Sequence, residues 1–164
     1  MQVLNHRDIE LRIKRLATQI LECNIDEERL ILAGINNNGL RFARLLREEL
    51  QAPAPMPISL TRIRLNPANP LESPAQIETP VDELHKAVII LIDDVANTGR
   101  TLFYACQPLM QTLPRSVQIA VLVDRTHKTF PIQADYIGLA LATTLQENIR
   151  VELAEKGEMG VFLE

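Results

Sequence analysis

The chain has 164 residues, of which 46% are hydrophobic and 23% charged, with a formal net charge of −4. These values are typical of a globular chain of one domain and exclude a disordered or collagen-like protein. The most apolar run, residues 87–92, is far shorter than the roughly 20 residues of a membrane helix, and residues 1–15 do not resemble a secretion signal. Cys23 and Cys106 are too few for a disulfide framework. We therefore expect a cytoplasmic protein without a membrane segment, and the acidic balance argues against nucleic-acid binding.

The N-terminal segment predicts an amphipathic helix over residues 6–22. Apolar residues from Ile9 to Ile20 recur at helical spacing after the capping residues Asn5 and Asp8. The outer face of this helix carries the basic residues Arg7, Arg12, Lys14 and Arg15. A solvated surface and a ligand-binding patch both explain these charges.

A strand, a glycine-bounded loop and a helix follow, which is the first half of a βαβ unit. Residues 30–33 form the apolar strand, Gly34–Gly39 the loop, and residues 40–50 the helix. We read Cys23 and Cys106 as small buried helical residues rather than nucleophiles.

Prolines are concentrated in the middle of the chain, where seven of the ten fall from Pro53 to Pro80 without an intervening glycine. A strand is expected over residues 56–61, and an extended, irregular segment over residues 62–80. A loop of this length inside a compact domain is usually functional or disordered.

The second half of the chain predicts further parallel strands. Residues 87–92 suit a central strand buried on both faces, and residues 117–123 suit another buried strand. Pro108 should kink or shorten the helix between them. Short apolar stretches after Ala134 predict small strands instead of another βαβ unit.

The central strand is expected to end at a polar site, because ligands bind beyond the carboxyl ends of parallel strands. The segment Asn97–Thr101 combines a helix start with Gly99 and two threonine hydroxyls, which suits a phosphate monoester. A plain helix N-cap by Thr98 is the alternative.

Asp93 and Asp94 stand directly before this segment. Adjacent carboxylates repel each other unless a cation or hydroxyl donors lie nearby, so magnesium or the hydroxyls of a sugar would suit them. Neighbouring strand residues face opposite ways, and we therefore expect the pair to straddle the strand end and to bind a diol. A receiver domain also has paired acids, but usually after its first strand.

Residues 88–102, VIILIDDVANTGRTL, resemble the phosphoribosyl pyrophosphate (PRPP) signature of type I phosphoribosyltransferases. The first helix and residues 118–125 and 131–138 are similar to the PyrR group, whose members regulate pyrimidine operons and show uracil phosphoribosyltransferase activity. The resemblance implies a single α/β domain over residues 1–164, with a Rossmann-like, mostly parallel sheet flanked by helices and a small C-terminal hood. It also implies a homodimer or homotetramer.

The resemblance also implies a role for each motif. Asp93 and Asp94 would hold the ribose hydroxyls, and either could reach Mg²⁺ bound through PRPP. Residues 59–80 would form a flexible flap and residues 124–164 the hood that reads the base. The 5′-phosphate would be bound by Ala96, Asn97, Thr98, Gly99, Arg100 and Thr101, and the pyrophosphate by Ile35, Asn36, Asn37, Asn38 and Gly39.

Four other residues have two interpretations each. Arg62 and Arg64 either neutralise the departing pyrophosphate or keep an exposed loop soluble. Tyr136 and Ile137 either flank the base or belong to the core.

Departures from the family pattern bear on the function. Asn36–Asn38 replace the usual lysine and arginine, which predicts weaker PRPP binding or a protein that senses nucleotides. Purine enzymes of the superfamily place Asp at position 97, and because Asn97 cannot act as a base, a pyrimidine is favoured.

The leading hypothesis is Mg²⁺-dependent transfer of phosphoribose from PRPP to a pyrimidine, with uracil as the expected base, giving UMP and pyrophosphate. The alternative is a nucleotide-sensing, RNA-binding regulator of pyrimidine genes with weak or no catalysis. The resemblance would place RNA contacts on Lys14, Arg15, His127 and Lys128. Gln133 stands where an arginine is usual, and the acidic chain disfavours RNA.

Overall fold

The chain folds into a six-stranded main sheet flanked by helices and a smaller, three-stranded sheet. This computed structural model describes residues 1–144, 146–154 and 156–164. The strands are β1 (Gln2–Leu4), β2 (Leu30–Ile35), β3 (Ile58–Arg64), β4 (Gln76–Ile77), β5 (Val88–Ala96), β6 (Ser116–Arg125), β7 (Tyr136–Leu141), β8 (Ile149–Glu152) and β9 (Gly160–Leu163). The helices are α1 (His6–Asn24), α2 (Asn36–Gln51), α3 (Val81–Leu84) and α4 (Arg100–Ala105), and a 3₁₀ turn covers Gln107–Gln111.

The main sheet has the strand order β4-β3-β2-β5-β6-β7. The pairs from β3 to β7 are parallel, and only the short β4 pairs antiparallel, with β3. The predicted mostly parallel sheet is therefore confirmed. The strand predicted at Tyr136-Ile137 is present as β7, and as predicted it does not complete another βαβ unit, but it pairs parallel with β6 and so belongs to the main sheet. The crossover from β6 to β7 contains no helix, so no helical periodicity marks it.

The two faces of the main sheet are buried under different helices. Along β5, Val88, Ile90 and Ile92 belong to the core shared with α1 and α2. Ile89 and Leu91 belong to the core under α4 and the 3₁₀ turn. All of these side chains are at most 1% exposed, which confirms the strand buried on both faces.

Helix α1 follows the predicted pattern and runs two residues further than expected. Its capping box is complete, since the Asp8 amide donates to Asn5 Oδ1 at 2.9 Å and the Asn5 amide donates to Asp8 Oδ2 at 3.0 Å. Cys23 is exposed, so the prediction of a buried thiol was wrong there. Asn24 is the buried neighbour. Cys106 is half-buried just after α4, and burial raises the pKa of its thiol.

The predicted loop Gly34–Gly39 is not a separate loop. Strand β2 continues to Ile35 and helix α2 begins at Asn36, which adopts the left-handed conformation with φ 51°. A Cβ on Gly34 would lie 2.5 Å from the Leu40 nitrogen, and one on Gly39 would lie 2.5 Å from the Ile92 oxygen. The two glycines therefore allow the first turn of α2 to pack directly against β2 and β5.

The smaller sheet joins the two ends of the chain. Its order is β1-β9-β8, and both of its strand pairs are antiparallel. The strand β1 was not predicted, because three residues are too few to show a period. We call this sheet the hood sheet.

Two arginines of α1 cover the outer edge of β7. Arg12 Nη1 donates to the Gly138 carbonyl at 2.7 Å, and Arg15 Nη2 donates to the same oxygen at 2.8 Å and to the Ile137 carbonyl at 3.1 Å.

Among the described residues, no helix is both long enough and apolar enough to cross a membrane. As predicted from Pro108, α4 is short and gives way to the 3₁₀ turn.

Candidate active site

Polar segments from the ends of β2 and β5 meet in one cleft at the carboxyl edge of the main sheet. Its volume is about 440 Å³, and it adjoins a second cleft of about 390 Å³. The larger cleft is lined by Ile35, Asn36, Asn37, Asn38, Pro67, Asp93, Asp94, Val95, Asn97, Thr101 and Ile149. The smaller cleft is lined by Pro67, Asp93, Val95, Ala96, Asn97, Thr98, Gly99, Arg100, Thr101 and Leu102. The acids, the Asn97–Thr101 segment and the asparagines are therefore brought together as the sequence predicts.

The two acids lie inside β5, which continues to Ala96, and not at its end as predicted. Asp93 is 9% exposed and lines both clefts, whereas the half-buried Asp94 lines the larger one. The Asp94 amide donates to Asp93 Oδ1 at 2.9 Å, and the Val95 amide donates to Asp94 Oδ1 at 2.9 Å. Burial, followed by the charge of Asp94, raises the pKa of Asp93 well above its ordinary value. Hydroxyl donors or a cation at this point would favour the charged form of Asp93.

The turn before α4 places backbone and hydroxyl groups at the smaller cleft. Gly99 has φ 88° and occupies the N-cap position, where no side chain caps the helix. The alternative that Thr98 is the N-cap was therefore wrong. Thr98 Oγ1 does accept from the Arg100 amide at 3.3 Å, and its carbonyl accepts from the amides of Thr129 and Phe130. The turn is thereby fixed from two sides, with Thr101 facing both clefts.

The side chain of Asn36 binds the backbone of the segment after β3. Its Nδ2 donates to the Leu65 carbonyl at 3.0 Å, and its Oδ1 accepts from the Leu65 amide at 3.1 Å. The left-handed backbone that the asparagine tolerates brings the amide into this position. Both ends of the amide are thus occupied by one residue of another segment.

Arg62 supplies positive charge beside the uncharged asparagines. It lies on β3 and not on an irregular segment as predicted, and its Nη1 donates to Asn37 Oδ1 at 2.9 Å. Its Nε and Nη2 donate to Glu78 Oε1 at 2.9 and 2.7 Å, and Arg64 Nη2 donates to the same oxygen at 3.1 Å. The hydrogen bond from Arg62 lowers the pKa of Glu78 despite the opposing effect of desolvation. Arg62 and Arg64 line a cavity of about 630 Å³ next to Asn36 and Asn37.

The predicted flap is partly regular, because residues 59–64 belong to β3 and residues 76–77 to β4. The connecting segment, residues 65–75, lies over the site. Arg100 Nη2 donates to the Pro67 carbonyl at 2.7 Å, and Pro67 lines both clefts. The Ala75 amide donates to Gln107 Oε1 at 3.1 Å. The segment is therefore held at its first, third and last residues.

The end of β6 places Arg125 beside Asn97. Arg125 Nη1 donates to Asn97 Oδ1 at 3.2 Å, its Nε donates to Thr143 Oγ1 at 2.7 Å, and its Nη2 donates to the Thr144 carbonyl at 2.7 Å. Arg125, Thr143 and Ile149 lie within the predicted hood, residues 124–164, but were not predicted individually as site residues. The Asp124-Arg125 pair that ends a buried strand was the available signal for Arg125.

Tyr136 and Ile137 do not lie in the site, and the interpretation of both as base contacts was wrong. They begin β7, and Tyr136 pairs with Ala120, while Arg125 pairs with Leu141 at the other end of the ladder. Tyr136 is 4% exposed. Its hydroxyl donates to Gln118 Oε1 at 2.7 Å and accepts from Asn24 Nδ2 at 3.2 Å, and burial raises its pKa. The alternative interpretation, that Tyr136 belongs to the core, was right.

The basic residues considered for RNA binding lie in two different settings. Lys14 and Arg15 are on α1, where Arg15 binds the edge of β7. His127 and Lys128 follow β6, and Lys128 Nζ lies 2.7 Å from Asp124 Oδ1 and donates to the Asn97 carbonyl at 3.0 Å. Lys128 therefore supports the cleft, and RNA contacts by these residues stay a prediction.

The two carboxylates of the site suit a magnesium ion that is bound together with a phosphate-bearing substrate. Within the described ranges, no group of three or more His, Cys, Asp or Glu side chains is arranged to hold a metal ion. Asp93 and Asp94 provide two carboxylates at the larger cleft. Mg²⁺ is commonly held in this way, by one or two carboxylates together with phosphate oxygens of a substrate.

Comparison with known proteins finds relatives along nearly the whole chain. The family model of the phosphoribosyl transferase domain matches residues 1–155. The "Bifunctional protein PyrR" of Herpetosiphon aurantiacus is 36% identical over 162 residues, covering 94% of this chain and 90% of that protein. The "Pyrimidine operon regulatory protein" of Lactococcus lactis is 31% identical over 156 residues, with coverage of 94% and 90%. The crystal structure of a hypoxanthine phosphoribosyltransferase from Staphylococcus aureus superposes with a TM-score of 0.72 at 20% identity, covering 88% of this chain and 80% of that one, which shows a shared fold.

Proposed function

The chain belongs to the phosphoribosyl transferase domain family, and on that premise we propose that it transfers phosphoribose from PRPP to uracil. The products are UMP and pyrophosphate. The observation that carries the proposal is the single cleft in which Asp93, Asp94 and Thr101 face Asn36–Asn38.

Each side of the cleft suits one part of PRPP. The carboxylates of Asp93 and Asp94 accept hydrogen bonds from the two ribose hydroxyls, while the turn from Ala96 to Thr101 surrounds the 5′-phosphate. The pyrophosphate lies beside Asn36–Asn38, where the guanidinium of Arg62 neutralises part of its charge.

The reaction is a displacement at C1′ of the ribose, in which N1 of uracil forms a bond to C1′ as the bond to pyrophosphate breaks, and the N1 proton passes to water. Positive charge develops on the ribose ring, so the carboxylates beside it stabilise the transition state. Pro67 of the segment 65–75 lines both clefts, and we expect closure of this segment over bound PRPP to exclude water. When bound with PRPP, Mg²⁺ supplies charge neutralisation for the leaving pyrophosphate.

A pyrimidine is favoured over a purine because Asn97 cannot act as a base toward N7 of a purine, the role of the Asp that purine enzymes of the superfamily place at this position. The name of the Lactococcus lactis relative also refers to pyrimidines. Among pyrimidines, uracil is the substrate that the resemblance to the PyrR group implies.

The test is pyrophosphate release from PRPP and Mg²⁺ in the presence of uracil, orotate or hypoxanthine. We expect release with uracil, and absence of any base-dependent release would contradict the proposal. Asp94→Asn should lower turnover about 100-fold or more while the chain stays folded. Asp82→Asn, which makes the same change at an exposed position on α3, is the matched control.

Regulation of pyrimidine genes through RNA is the second candidate function, and the names of the curated relatives favour it. A gel shift with leader RNA of the chain's own pyrimidine operon, at low and high salt and with and without UMP, tests it. Binding that weakens with salt and responds to UMP would support regulation. Absence of binding at low salt would count against it.

We also propose that the chain acts in the cytoplasm and assembles as a homodimer or homotetramer, as the resemblance implies. Light scattering coupled to size-exclusion chromatography measures the mass directly. A mass of 18.5 kDa at micromolar concentration would show a monomer and contradict the assembly.

A further inference from the structure

Glu78 and Arg62 are joined through both their backbones and their side chains. Glu78 directly follows β4, and its amide donates to the Arg62 carbonyl at 3.0 Å. The next amide, that of Thr79, donates to Oγ1 of the buried Thr61 at 3.1 Å. The backbone contacts of the two segments therefore set the Glu78 carboxylate beside Arg62.

One oxygen of this carboxylate is shared by two arginines. Arg62 and Arg64 are two residues apart on β3 and so lie on the same face of the strand. Oε1 of Glu78 accepts from Arg62 Nε at 2.9 Å and Nη2 at 2.7 Å, and from Arg64 Nη2 at 3.1 Å. The Arg62 side chain is 21% exposed and that of Arg64 is 62% exposed. Glu78 thus reduces the repulsion between two like charges and holds the more buried arginine by two N–H groups.

The contact with Glu78 leaves part of the Arg62 guanidinium available to an anion. A guanidinium has five N–H donors, of which Glu78 accepts from the one on Nε and from one on Nη2, while Asn37 Oδ1 accepts from one on Nη1. The other two donors, one on each Nη, have no partner among the residues that the structure describes. Asn37 lines both the larger cleft and the cavity of about 630 Å³ next to it. The guanidinium therefore lies at the side of the cleft where the pyrophosphate is placed.

Glu78 has two opposing effects on a pyrophosphate at this position. It fixes the long side chain of Arg62 in advance, so less rotamer freedom is lost when the guanidinium binds an anion. Its own negative charge repels the anion, but the Glu78 side chain is 48% exposed, so water screens this repulsion. The guanidinium, in contrast, can donate directly to phosphate oxygens.

Resting on the proposed function, we propose that Glu78 is a positioning residue, which holds Arg62 beside Asn37 in the orientation that binds the leaving pyrophosphate. Asn36–Asn38 carry no charge, so the positive charge at this side of the cleft comes from β3 and depends on how Arg62 is held. The gain from orienting Arg62 exceeds the repulsion between the Glu78 carboxylate and the pyrophosphate.

Glu78→Ala and Glu78→Gln test this inference. The measurements are the calorimetric Kd of pyrophosphate with Mg²⁺, and kcat/KM for PRPP with uracil. We expect Glu78→Ala to weaken pyrophosphate binding and to lower kcat/KM about 10-fold. Glu78→Gln keeps an oxygen acceptor without the charge and should cost only about 3-fold, since a neutral acceptor holds a guanidinium less strongly than a carboxylate does.

Glu27→Ala is the matched control. Glu27 Oε2 also binds an arginine, with 2.8 Å to Arg115 Nε, but the two residues precede β2 and β6 and so lie at the opposite edge of the main sheet. Pyrophosphate binding and kcat/KM should be the same in this variant as in the unmodified chain.

An Arg62→Gln background separates positioning from a merely structural role. Because Glu78 acts through Arg62, Glu78→Ala should cause no further loss in that background. A structural role of Glu78 would cause the same loss with and without Arg62, and that result would overturn the inference. Tighter or unchanged pyrophosphate binding in Glu78→Ala would also overturn it, as would absence of pyrophosphate binding by the unmodified chain.

These outcomes are distinct from a failure of the proposed function. Unmodified chain that turns over uracil, with unchanged pyrophosphate binding in Glu78→Ala, would overturn the role of Glu78 and leave the proposed transfer in place. Conversely, a chain without base-dependent turnover whose pyrophosphate binding weakens in Glu78→Ala, but not further in the Arg62→Gln background, would contradict the transfer and support the positioning.

Discussion

Replacing Asn36 should release the segment over the active site. The asparagine amide forms two hydrogen bonds with the Leu65 backbone, at 3.0 and 3.1 Å, and it does so from a left-handed backbone conformation with φ 51°. Asn36→Ala removes both bonds and places a residue with a Cβ but no polar side chain in that conformation. We expect the first residue of the 65–75 segment to detach more often, because its amide and carbonyl lose their partner.

The magnitude follows from these contacts. Each hydrogen bond contributes about 0.5–1.5 kcal/mol, so the pair contributes about 2 kcal/mol. Alanine in the left-handed region costs about 1 kcal/mol more, because its side chain gains no local hydrogen bond there. A total of about 3 kcal/mol corresponds to an opening equilibrium about 100-fold larger. Asn36→Gly removes the bonds without the backbone cost, and its effect should be about 30-fold.

Hydrogen–deuterium exchange of the Leu65 amide measures this equilibrium. The matched control is Asn38→Ala, which changes an exposed asparagine in the same turn and should leave the exchange of Leu65 close to that of the unmodified chain. Equal exchange rates in Asn36→Ala and the unmodified chain would refute the reasoning. Faster exchange across the whole chain would also refute it, because the effect would then be global unfolding.

Three further predictions concern the acids, the core and the pyrophosphate side. Because the pKa of Asp93 is raised in the folded chain, by burial and then by the charge of Asp94, stability falls as the pH rises above the ordinary carboxyl pKa. Asp93→Asn should therefore raise the Tm near neutral pH but not below about pH 4. Each kcal/mol of added stability should raise the Tm by about 2–4 °C. A lower Tm of the variant at neutral pH would contradict this prediction. Tyr136→Phe removes the hydrogen bonds of the buried hydroxyl and should lower the free energy of unfolding by about 1–2 kcal/mol in urea titrations, with turnover unchanged. A loss of turnover would show that Tyr136 contributes to the active site. Arg62→Gln should slow pyrophosphate release at saturating PRPP about 10-fold or more. An unchanged kcat would show that Arg62 does not neutralise the leaving pyrophosphate.

The central part of the site was predictable because it is contiguous in sequence. The acids and the Asn97–Thr101 segment lie within nine residues of one strand and its following turn, so their order alone places them together. The apolar run of β5 likewise required burial on both faces, as observed. In such a segment, local geometry determines which groups share an edge of the sheet.

The contacts that join distant segments were not predictable in the same way. Asn36 binds Leu65, and Arg125 binds Asn97 and Thr143, across separations that leave no periodic pattern. In the sequence, Asn36 is recognisable only as the replacement of a cation that would bind pyrophosphate. The structure shows that its side-chain amide binds the Leu65 backbone. Tyr136 was misplaced for a related reason, since a lone aromatic residue does not show which end of its strand faces the site.

The arginines on α1 also determine how the main sheet ends. An unprotected outer strand can pair with a strand of another molecule, and sheets extended in this way grow into aggregates. At β7 the carbonyls of Ile137 and Gly138 are already bonded to Arg12 and Arg15, so a strand docking there would have to displace two guanidinium groups. The two arginines therefore disfavour edge-to-edge pairing of the main sheets of two copies of this chain at high concentration.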